Sequence, residues 1–340
     1  MAYIKLNSKN YFYNLDLISD KAGGKEKVFV VLKDNAYGHG LKEMASLASA
    51  YGIKRAVVKN LKEATQIKNL FEEILILSEI LREKPDENIS VTANSIDSLF
   101  LLPKKIKIHL KIDTGMHRNG IDRKDIKNAF KIIKKRELFL KGVMTHFRSA
   151  DELSSELFWQ RENWREVKNE VKKICKEFSI PVPAFHSCNS AALFRLKEHE
   201  DDFVRCGIAT YGYLETDPIF DPPKLKPVLS LWANKISSRV LKKGERVGYG
   251  GVFTAQKDMI ISTYDIGYGD GFFRNDGKKE LKTAEGKRIL GRVSMDNISC
   301  EGESEEILVF EDAKRLAKHF NTISYEILTK LSSDIKRVVI

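Results

Sequence analysis

The residue best suited to covalent chemistry follows an apolar segment near the start of the chain. Residues 28–32, Val-Phe-Val-Val-Leu, form an unbroken apolar run that is typical of a strand buried on both faces of a parallel sheet. Lys33 comes next, at a position where a cation is costly unless it is paired or neutral. An unprotonated lysine is a nucleophile that can form a Schiff base with an aldehyde. Lys33 is therefore a candidate for covalent catalysis; the alternative is a lysine that only extends to solvent from a strand end.

Two further features suit the binding of an anion. Gly38 begins a glycine-rich turn before a helical pattern, and the backbone amides of such a turn point outward. Arg118 follows a second glycine turn, and its planar guanidinium can bind both oxygens of a carboxylate or a phosphate. His109, Lys111 and Asp113 precede it at alternate positions of one apolar run, so they share a face of the predicted strand. We predict a site at this strand end, with a surface ion pair of Arg118 as the alternative.

Three later apolar runs also end on polar residues. A single histidine is more often structural than catalytic, but several strand ends of the same kind favour a shared site. Tyrosines in glycine-flanked turns add phenols, which near a cation can exchange a proton, although ordinary turn tyrosines are the alternative. The polar strand ends carry His146, then His186, Asn189 and Ser190, then Arg205, Gly207 and Ile208. The tyrosines are Tyr249, Tyr268 and Tyr325.

Composition and missing motifs exclude several classes of function. The sequence has no HExxH, CxxC, EF-hand, GxSxG or Walker pattern, so a metal site or a serine hydrolase is poorly supported. The four cysteines are scattered, which favours reduced thiols in a cytoplasmic protein, and no signal peptide or membrane span is predicted. The net charge of +11 comes from 58 lysines and arginines mixed with 47 acidic residues. Solvated lysine-rich faces explain it better than a nucleic-acid surface does.

The order of the apolar runs predicts the elements that must position these residues. Eight runs alternate with helical patterns up to about residue 208, which predicts an α/β fold with an N-terminal (β/α)8 TIM barrel. Chemistry in that fold lies at the carboxyl ends of the strands. After Pro222-Pro223, short strands and turns predict a mainly β domain, so we divide the chain into residues 1–220 and 221–340, with the first few residues able to pair with the second domain. The predicted barrel strands are 28–32, 55–58, 74–77, 89–92, 106–112, 140–145, 182–186 and 203–208.

Taken in order, these pieces resemble alanine racemase, a family of fold type III pyridoxal-phosphate enzymes. The resemblance covers nearly the whole chain, and the ordered set is far more specific than any one piece. The matching pieces are Val-Leu-Lys33-Asp-Asn-Ala-Tyr37-Gly-His-Gly, Lys111-Ile-Asp-Thr-Gly-Met-His-Arg118, Thr-His146-Phe, Asn189-Ser190-Ala-Ala, Arg205-Cys-Gly207-Ile208, Gly-Tyr249-Gly, Ile-Gly-Tyr268, Arg-Val-Ser-Met295-Asp296 and Thr-Ile-Ser-Tyr325-Glu.

The resemblance implies a role for each of these residues. Lys33 would carry pyridoxal 5'-phosphate and act as the base for the D-enantiomer, while Tyr249 of the partner subunit would be the base for the L-enantiomer. Arg118 and the Met295 amide would bind the substrate carboxylate. Residues implied to hold the cofactor are Lys33, Tyr37, His146, Asn189, Ser190, Arg205, Gly207, Ile208 and Tyr325. Supporting residues are Lys111, often carbamylated in the family, Tyr268, which would narrow the entrance, and Asp296.

The implied activity is the interconversion of L-alanine and D-alanine by a two-base mechanism, supplying D-alanine for bacterial peptidoglycan. The implied enzyme is a cytoplasmic homodimer with shared sites and no nucleic-acid or membrane partner. A broader amino-acid racemase remains an alternative. A decarboxylase on the same barrel is disfavoured by the Tyr249 motif, and a non-catalytic pyridoxal-phosphate carrier is disfavoured by the β domain.

Overall fold

The computed structural model describes residues 1–340 and divides them into two compact units. The barrel unit comprises Phe12–Asp34 and Met44–Lys226, and the β unit comprises Met1–Tyr11, Asn35–Glu43 and Pro227–Ile340. The segment directly after Lys33 therefore packs with the β unit, although it lies within residues 1–220 of the chain.

The barrel unit contains a sheet of eight parallel strands. The first nine strands of the chain are β1 (Tyr3–Leu6), β2 (Val28–Val31), β3 (Arg55–Val58), β4 (Glu73–Ile76), β5 (Ile89–Ala93), β6 (Lys107–Lys111), β7 (Phe139–Met144), β8 (Ala184–His186) and β9 (Val204–Cys206). Their order in the sheet is β8-β7-β6-β5-β4-β3-β2-β9, and a bridge between His186 and Phe203 nearly closes it. This confirms the predicted TIM barrel, and each strand overlaps its predicted run.

Helices follow most of the barrel strands. The first eight are α1 (Ser8–Ala22), α2 (Lys33–Tyr37), α3 (Leu41–Tyr51), α4 (Leu61–Ile67), α5 (Ile96–Leu101), α6 (Ile126–Lys135), α7 (Glu156–Phe178) and α8 (Ser190–Arg195). Polar caps begin several of them; Asn60, for example, accepts a hydrogen bond from the Glu63 amide at the start of α4. In α6, Ile126, Ala129, Phe130 and Ile133 are buried at helical spacing. None of the helices, the 23-residue α7 included, has the length and apolar content needed to cross a membrane.

The β unit is organised around one long strand, β10 (Leu229–Leu241), which pairs with β1, β13 and β17. The strand β1, at the start of the chain, also pairs in parallel with β18, at the end of the chain. The remaining elements are β11 (Arg246–Val247), β12 (Phe253–Thr254), β13 (Met259–Tyr264), β14 (Leu281–Lys282), β15 (Arg288–Ile289), β16 (Ile298–Glu301), β17 (Glu306–Phe310), β18 (Lys336–Val339), α9 (Ala313–Phe320) and α10 (Ser324–Thr329). A mainly β C-terminal domain is thus confirmed.

Candidate active site

Lys33 lies at the carboxyl end of β2, after the fully buried Leu32. Its side chain is 39% exposed, and Nζ lies 4.0 Å from Oδ2 of Asp34. The other oxygen of Asp34 accepts a hydrogen bond of 2.8 Å from Lys59, which follows β3. The Lys33 amine is therefore partly exposed and lies beside a carboxylate that Lys59 already binds.

The turn after Lys33 has an unusual backbone. Four consecutive residues, Asp34–Tyr37, have φ between 51° and 54°, so α2 is one turn of left-handed helix. Each L-residue in that conformation costs about 1–2 kcal/mol, and such strain is typically found at functional sites. Within the β unit, the turn ends at Gly38, whose carbonyl accepts a hydrogen bond of 2.9 Å from Arg337. The chain therefore holds this segment in place despite its strain.

Gly38→Ala is expected to destabilise the protein by about 2–4 kcal/mol. A Cβ atom at Gly38, where φ is +81°, would lie 2.0 Å from the carbonyl oxygen of Leu328. Gly286 is a matched control, because its φ is +86° and no atom lies within 4 Å of the position of its Cβ. Thermal unfolding of the two variants separates two contributions to the loss of stability. Gly286→Ala reports the cost of a positive φ alone, and Gly38→Ala reports that cost together with the clash with Leu328. Equal losses would show that the contact with Leu328 has no effect.

A group of positive charges surrounds His146, which follows β7. Burial, together with the charges of Arg205, Lys111, Arg118 and Lys33, lowers the pKa of this imidazole to about 3. His146 is therefore neutral at physiological pH, and three barrel strands, β2, β6 and β9, with the turns after them contribute four cations to one region. A concentration of positive charge of this kind favours an anionic ligand.

Lys111 and Arg118 form the part of this group suited to a carboxylate. Burial, and then the nearby charges of Arg118 and Arg205, lower the pKa of Lys111 to about 8. The Lys111 amine donates a hydrogen bond to Oδ1 of Asn119. Arg118 is exposed and forms no ion pair within the chain, so the alternative of a surface ion pair does not apply.

Asp113 differs from the sequence-based expectation. Its carboxylate accepts hydrogen bonds from the backbone amides of Gly115, Met116 and His117 at 2.9–3.1 Å. The His117 amide also lies 3.0 Å from Oδ2, so both oxygens bind the backbone of the turn. Asp113 therefore shapes the turn that carries Arg118 rather than facing a ligand.

Arg205 is held rigidly within β9. Its guanidinium donates hydrogen bonds to the carbonyl oxygens of His186, Thr145 and Ser187 at 2.8, 2.6 and 3.1 Å, and to Nδ1 of His186 at 2.8 Å. Burial lowers its pKa to about 10, so it remains charged at neutral pH. A side chain with this many fixed partners has a single orientation.

Four of the implied cofactor residues form one cluster at the ends of β8 and β9. Asn189 caps α8 by accepting a hydrogen bond of 2.9 Å from the Ala192 amide. Oγ of Ser190 accepts a hydrogen bond of 3.2 Å from the Gly207 amide, which precedes the buried Ile208. The beginning of α8 is thereby tied to the turn after β9.

The remaining site residues that the family resemblance implies belong to the β unit and form two groups. The rings of Tyr37 and Tyr325 lie 5.9 Å apart. The turn of Tyr268 packs against the loop of Met295, because the Gly269 amide donates a hydrogen bond of 2.8 Å to the Met295 carbonyl. The exposed Asp296 follows in the same loop.

Tyr249 lies in a turn between β11 and β12, and its side chain is 68% exposed. Tyr268 and Met295 are 41% and 55% exposed. All three side chains are therefore accessible from solvent.

Sequence reasoning missed Glu73 and Asn119 and placed His109 at the mouth of the barrel. His109 lies two residues before Lys111, where it contacts Glu73 and His186 in the barrel interior. A glutamate at the start of a strand looks like a surface residue in the sequence, so no local signal identifies it. No group of three or more histidine, cysteine, aspartate or glutamate side chains could hold a metal ion.

The fold and the comparisons with known proteins identify the chain as a pyridoxal-phosphate-dependent racemase of the TIM-barrel type. The sequence profile of the alanine racemase N-terminal domain matches residues 6–215, and that of the alanine racemase C-terminal domain matches residues 228–339. The chain therefore belongs to the alanine racemase family.

Individual relatives agree with this assignment. A protein from Nitratiruptor named alanine racemase is 54% identical over 99% of both chains. The structure of alanine racemase from Bacillus anthracis with bound L-Ala-P has a TM-score of 0.87 at 28% identity, covering 100% of this chain and 95% of that chain. A histidine racemase from Leuconostoc mesenteroides has a TM-score of 0.85 at 26% identity, covering 100% of this chain and 98% of that chain.

Proposed function

We propose that this protein interconverts L-alanine and D-alanine with pyridoxal phosphate and two bases, Lys33 and Tyr249. The observation that carries the proposal is the group of cations around the neutral His146, which includes Lys33, Arg118 and Arg205. Membership of the family and the named activity of the relatives support alanine as the substrate.

The donor set fits the cofactor. A lysine amine can bind its aldehyde, and the positive charge around His146 suits its anionic groups. The Ser190–Gly207 cluster, together with Ile208, Tyr37 and Tyr325, would hold the phosphate. His146 and Asn189 would line the ring. Arg205 would face the ring nitrogen, where a guanidinium acts as a hydrogen-bond donor and releases no proton.

Substrate binding would depend on Arg118 and the Met295 amide. The guanidinium of Arg118 has no carboxylate partner in the chain, so its two-oxygen binding edge is available for the substrate carboxylate. Tyr268, whose turn packs on the Met295 loop, would restrict access and so limit the size of the side chain admitted.

Proton transfer would then need one group on each face of the α-carbon. When bound, pyridoxal phosphate supplies a covalent link to the amino group and a conjugated ring that accepts the charge left by the departing hydrogen. Lys33 would remove or return that hydrogen for D-alanine, and Tyr249 would do so for L-alanine. An amine and a phenol on opposite faces allow a proton to be taken from one side and replaced on the other.

We also propose a homodimer in which Tyr249 acts in the site of the partner subunit. The 68% exposure of Tyr249 supports this arrangement, because a catalytic phenol must be shielded from water when it works. The product would be D-alanine for bacterial peptidoglycan. Four free, buried cysteines support a reducing, cytoplasmic location.

The test begins with the protein purified in the presence of pyridoxal phosphate. We expect chiral chromatography to show D-alanine formed from L-alanine, and much less product after the cofactor is released with hydroxylamine and removed by dialysis. Histidine and other amino acids are assayed in parallel, since a structural neighbour is a histidine racemase. Turnover of another amino acid in place of alanine would indicate a racemase of different specificity. A bound cofactor without turnover of any amino acid would contradict the proposal and favour a carrier.

Carbamylation of Lys111 should be measurable and should increase with pH. The pKa of Lys111 is about 8, so about 10% of the amine is neutral at pH 7 and about 90% at pH 9. Because only the neutral amine adds carbon dioxide, a carbamate NMR signal from 13C-bicarbonate should rise through pH 8. The new negative charge would lie near Arg118 and orient it, so removal of bicarbonate should raise the KM for alanine several-fold. Lys111→Gln should lose both effects and Lys59→Gln neither; a signal that persists in Lys111→Gln would assign the carbamate elsewhere.

A further inference from the structure

Four polar side chains form a continuous hydrogen-bonded chain through the interior of the barrel unit. Nη1 of Arg205 lies 2.8 Å from Nδ1 of His186. Nε2 of His186 lies 2.8 Å from Nδ1 of His109, and Nε2 of His109 lies 2.9 Å from Oε1 of Glu73. These residues belong to β9, β8, β6 and β4, so the chain crosses the barrel.

The chemistry of its two end members, a donor-only guanidinium and an acceptor-only carboxylate, determines the direction of every bond. A guanidinium can only donate, so Nδ1 of His186 must be the unprotonated acceptor. Its Nε2 then carries the proton and donates to Nδ1 of His109, which must also be unprotonated. The single proton of His109 is therefore on Nε2, directed at Glu73. The carboxylate of Glu73 only accepts hydrogen bonds, so it is the last acceptor in the series of hydrogen bonds that begins at Arg205.

Glu73 is an anion in this environment. Although burial raises its pKa, hydrogen bonding from His109 and the charges of Arg55 and Lys141 hold the pKa below its usual value. Nε of Arg55 lies 3.5 Å from Oε2, and the Ser90 hydroxyl lies 3.3 Å from Oε1. The acceptor at the end of the chain is thus permanently available near neutral pH.

The barrel interior is shaped around the two imidazoles. A Cβ atom at Gly142 would lie 2.4 Å from Nδ1 of His109, so a larger residue would displace the ring. The register between β6 and β7 shifts just before His109, which brings it opposite Gly142. Phe29 stacks on His186 at 5.7 Å and meets His109 edge-on at 6.2 Å. Both histidines are almost completely buried, so water does not replace a missing partner.

We propose that Glu73 is a positioning residue for Arg205: by fixing the tautomers of His109 and His186, it makes His186 hold the guanidinium in the orientation that the reaction uses. Glu73 touches neither substrate nor cofactor and acts only through the two imidazoles. The inference rests on the proposed role of Arg205 at the ring nitrogen of the cofactor.

The hydrogen-bonded series from Arg205 to Glu73 is tested by 15N NMR of the full-length protein labelled at histidine, with and without pyridoxal phosphate. We expect His109 and His186 to be Nε2–H tautomers whose protons exchange slowly with water. Detection of a proton on Nδ1 of His186 in the unsubstituted protein would overturn the proposal without any variant.

Substitutions then test whether the acceptor oxygen of Glu73 fixes the two tautomers. Glu73→Met removes the acceptor and should allow mixed tautomers and faster proton exchange at both histidines. Glu73→Gln keeps one acceptor oxygen and should restore the original tautomers. Glu72→Met is the matched control, because Glu72 is exposed and pairs with Lys54. Unchanged tautomers in Glu73→Met would overturn the proposal. If Glu73→Met fails to fold, Gly142→Ala disturbs His109 from the opposite side and should produce the same tautomer mixture.

The effect on Arg205 is read from the holoenzyme. Glu73→Met should lower kcat about tenfold, equivalent to one hydrogen bond, with little change in the KM for alanine, and should shift the absorbance of the bound cofactor. Normal tautomers with altered kinetics, or altered tautomers with unchanged kcat and absorbance, would overturn the positioning role while leaving the racemase intact. Absence of turnover and of a Lys33 adduct in the unsubstituted protein would instead overturn the proposed function, whatever the NMR result.

Discussion

Lys33→Ala is expected to abolish the covalently held cofactor and to reduce racemisation by about 10³-fold or more. The amine at the end of β2 is proposed both to bind the aldehyde and to move the proton for the D-enantiomer, so one truncation removes two functions. The loss should appear in both reaction directions, because both require the bound cofactor. Borohydride reduction followed by peptide mass spectrometry should find the cofactor attached at Lys33 in the unsubstituted protein only.

Lys54→Ala is a suitable control for this experiment. Lys54 lies just before β3, is 53% exposed and pairs with Glu72, so its loss should leave the cofactor and activity unchanged. An adduct at another lysine, or a Lys33→Ala variant that retains the covalent cofactor, would contradict the assignment. Removal of Lys33 also leaves Asp34 paired with Lys59, so the left-handed turn should persist and the variant should fold.

Tyr249→Phe is expected to lower kcat by about 10²–10⁴-fold, the usual contribution of one positioned acid–base group. The phenyl ring preserves the shape of the turn between β11 and β12 and removes only the proton-transferring oxygen. The two faces of the α-carbon should then behave differently. In deuterated solvent, D-alanine should still exchange its α-hydrogen through Lys33, whereas exchange into L-alanine should be lost. Equal exchange from both enantiomers would contradict the assignment of Tyr249 to one face.

The shared site gives a complementary experiment. A dimer of one Lys33→Ala chain and one Tyr249→Phe chain would contain one site with both bases and one with neither. Random mixing of the two inactive variants should therefore restore about a quarter of the original activity, because about half of the dimers are mixed and each has one complete site. Tyr13→Phe mixed with Lys33→Ala serves as a reference, since Tyr13 belongs to the barrel unit and has no assigned role. Failure of the mixture to recover activity would show that each subunit uses its own tyrosine.

The barrel could be predicted from the sequence because its strands are buried on both faces. Such strands appear as continuous apolar runs, and the chain must leave each run on a residue at the carboxyl edge of the sheet. Lys33, His146 and Arg205 could therefore be assigned to one edge before any coordinate was known. The ordered motifs then identified the family, since local sequence preserves the chemistry of each strand end.

Several helices and strands could not be found in this way. The left-handed turn of Asp34–Tyr37 runs against the intrinsic preference of four L-residues, so local propensity predicts something else. Local sequence does not identify the strands β16 and β17, because their stability comes from pairing with β13 and β10 across long sequence separations.

The sequence by itself determined the class of enzyme, the order of the barrel strands and the residues at their ends, because each depends on neighbours in the chain. The tertiary structure alone decided which polar groups meet. Glu73, His109, His186 and Arg205 come from four strands, and only closure of the sheet places their nitrogen and oxygen atoms within 2.9 Å. The pKa of Lys111 likewise depends on burial and on two arginines. Arg205 lies far from Lys111 in the sequence, and Arg118 lies in the turn that follows β6. Hydrogen bonds and charge interactions act over a few ångströms in space, so their partners are fixed by packing and not by sequence separation.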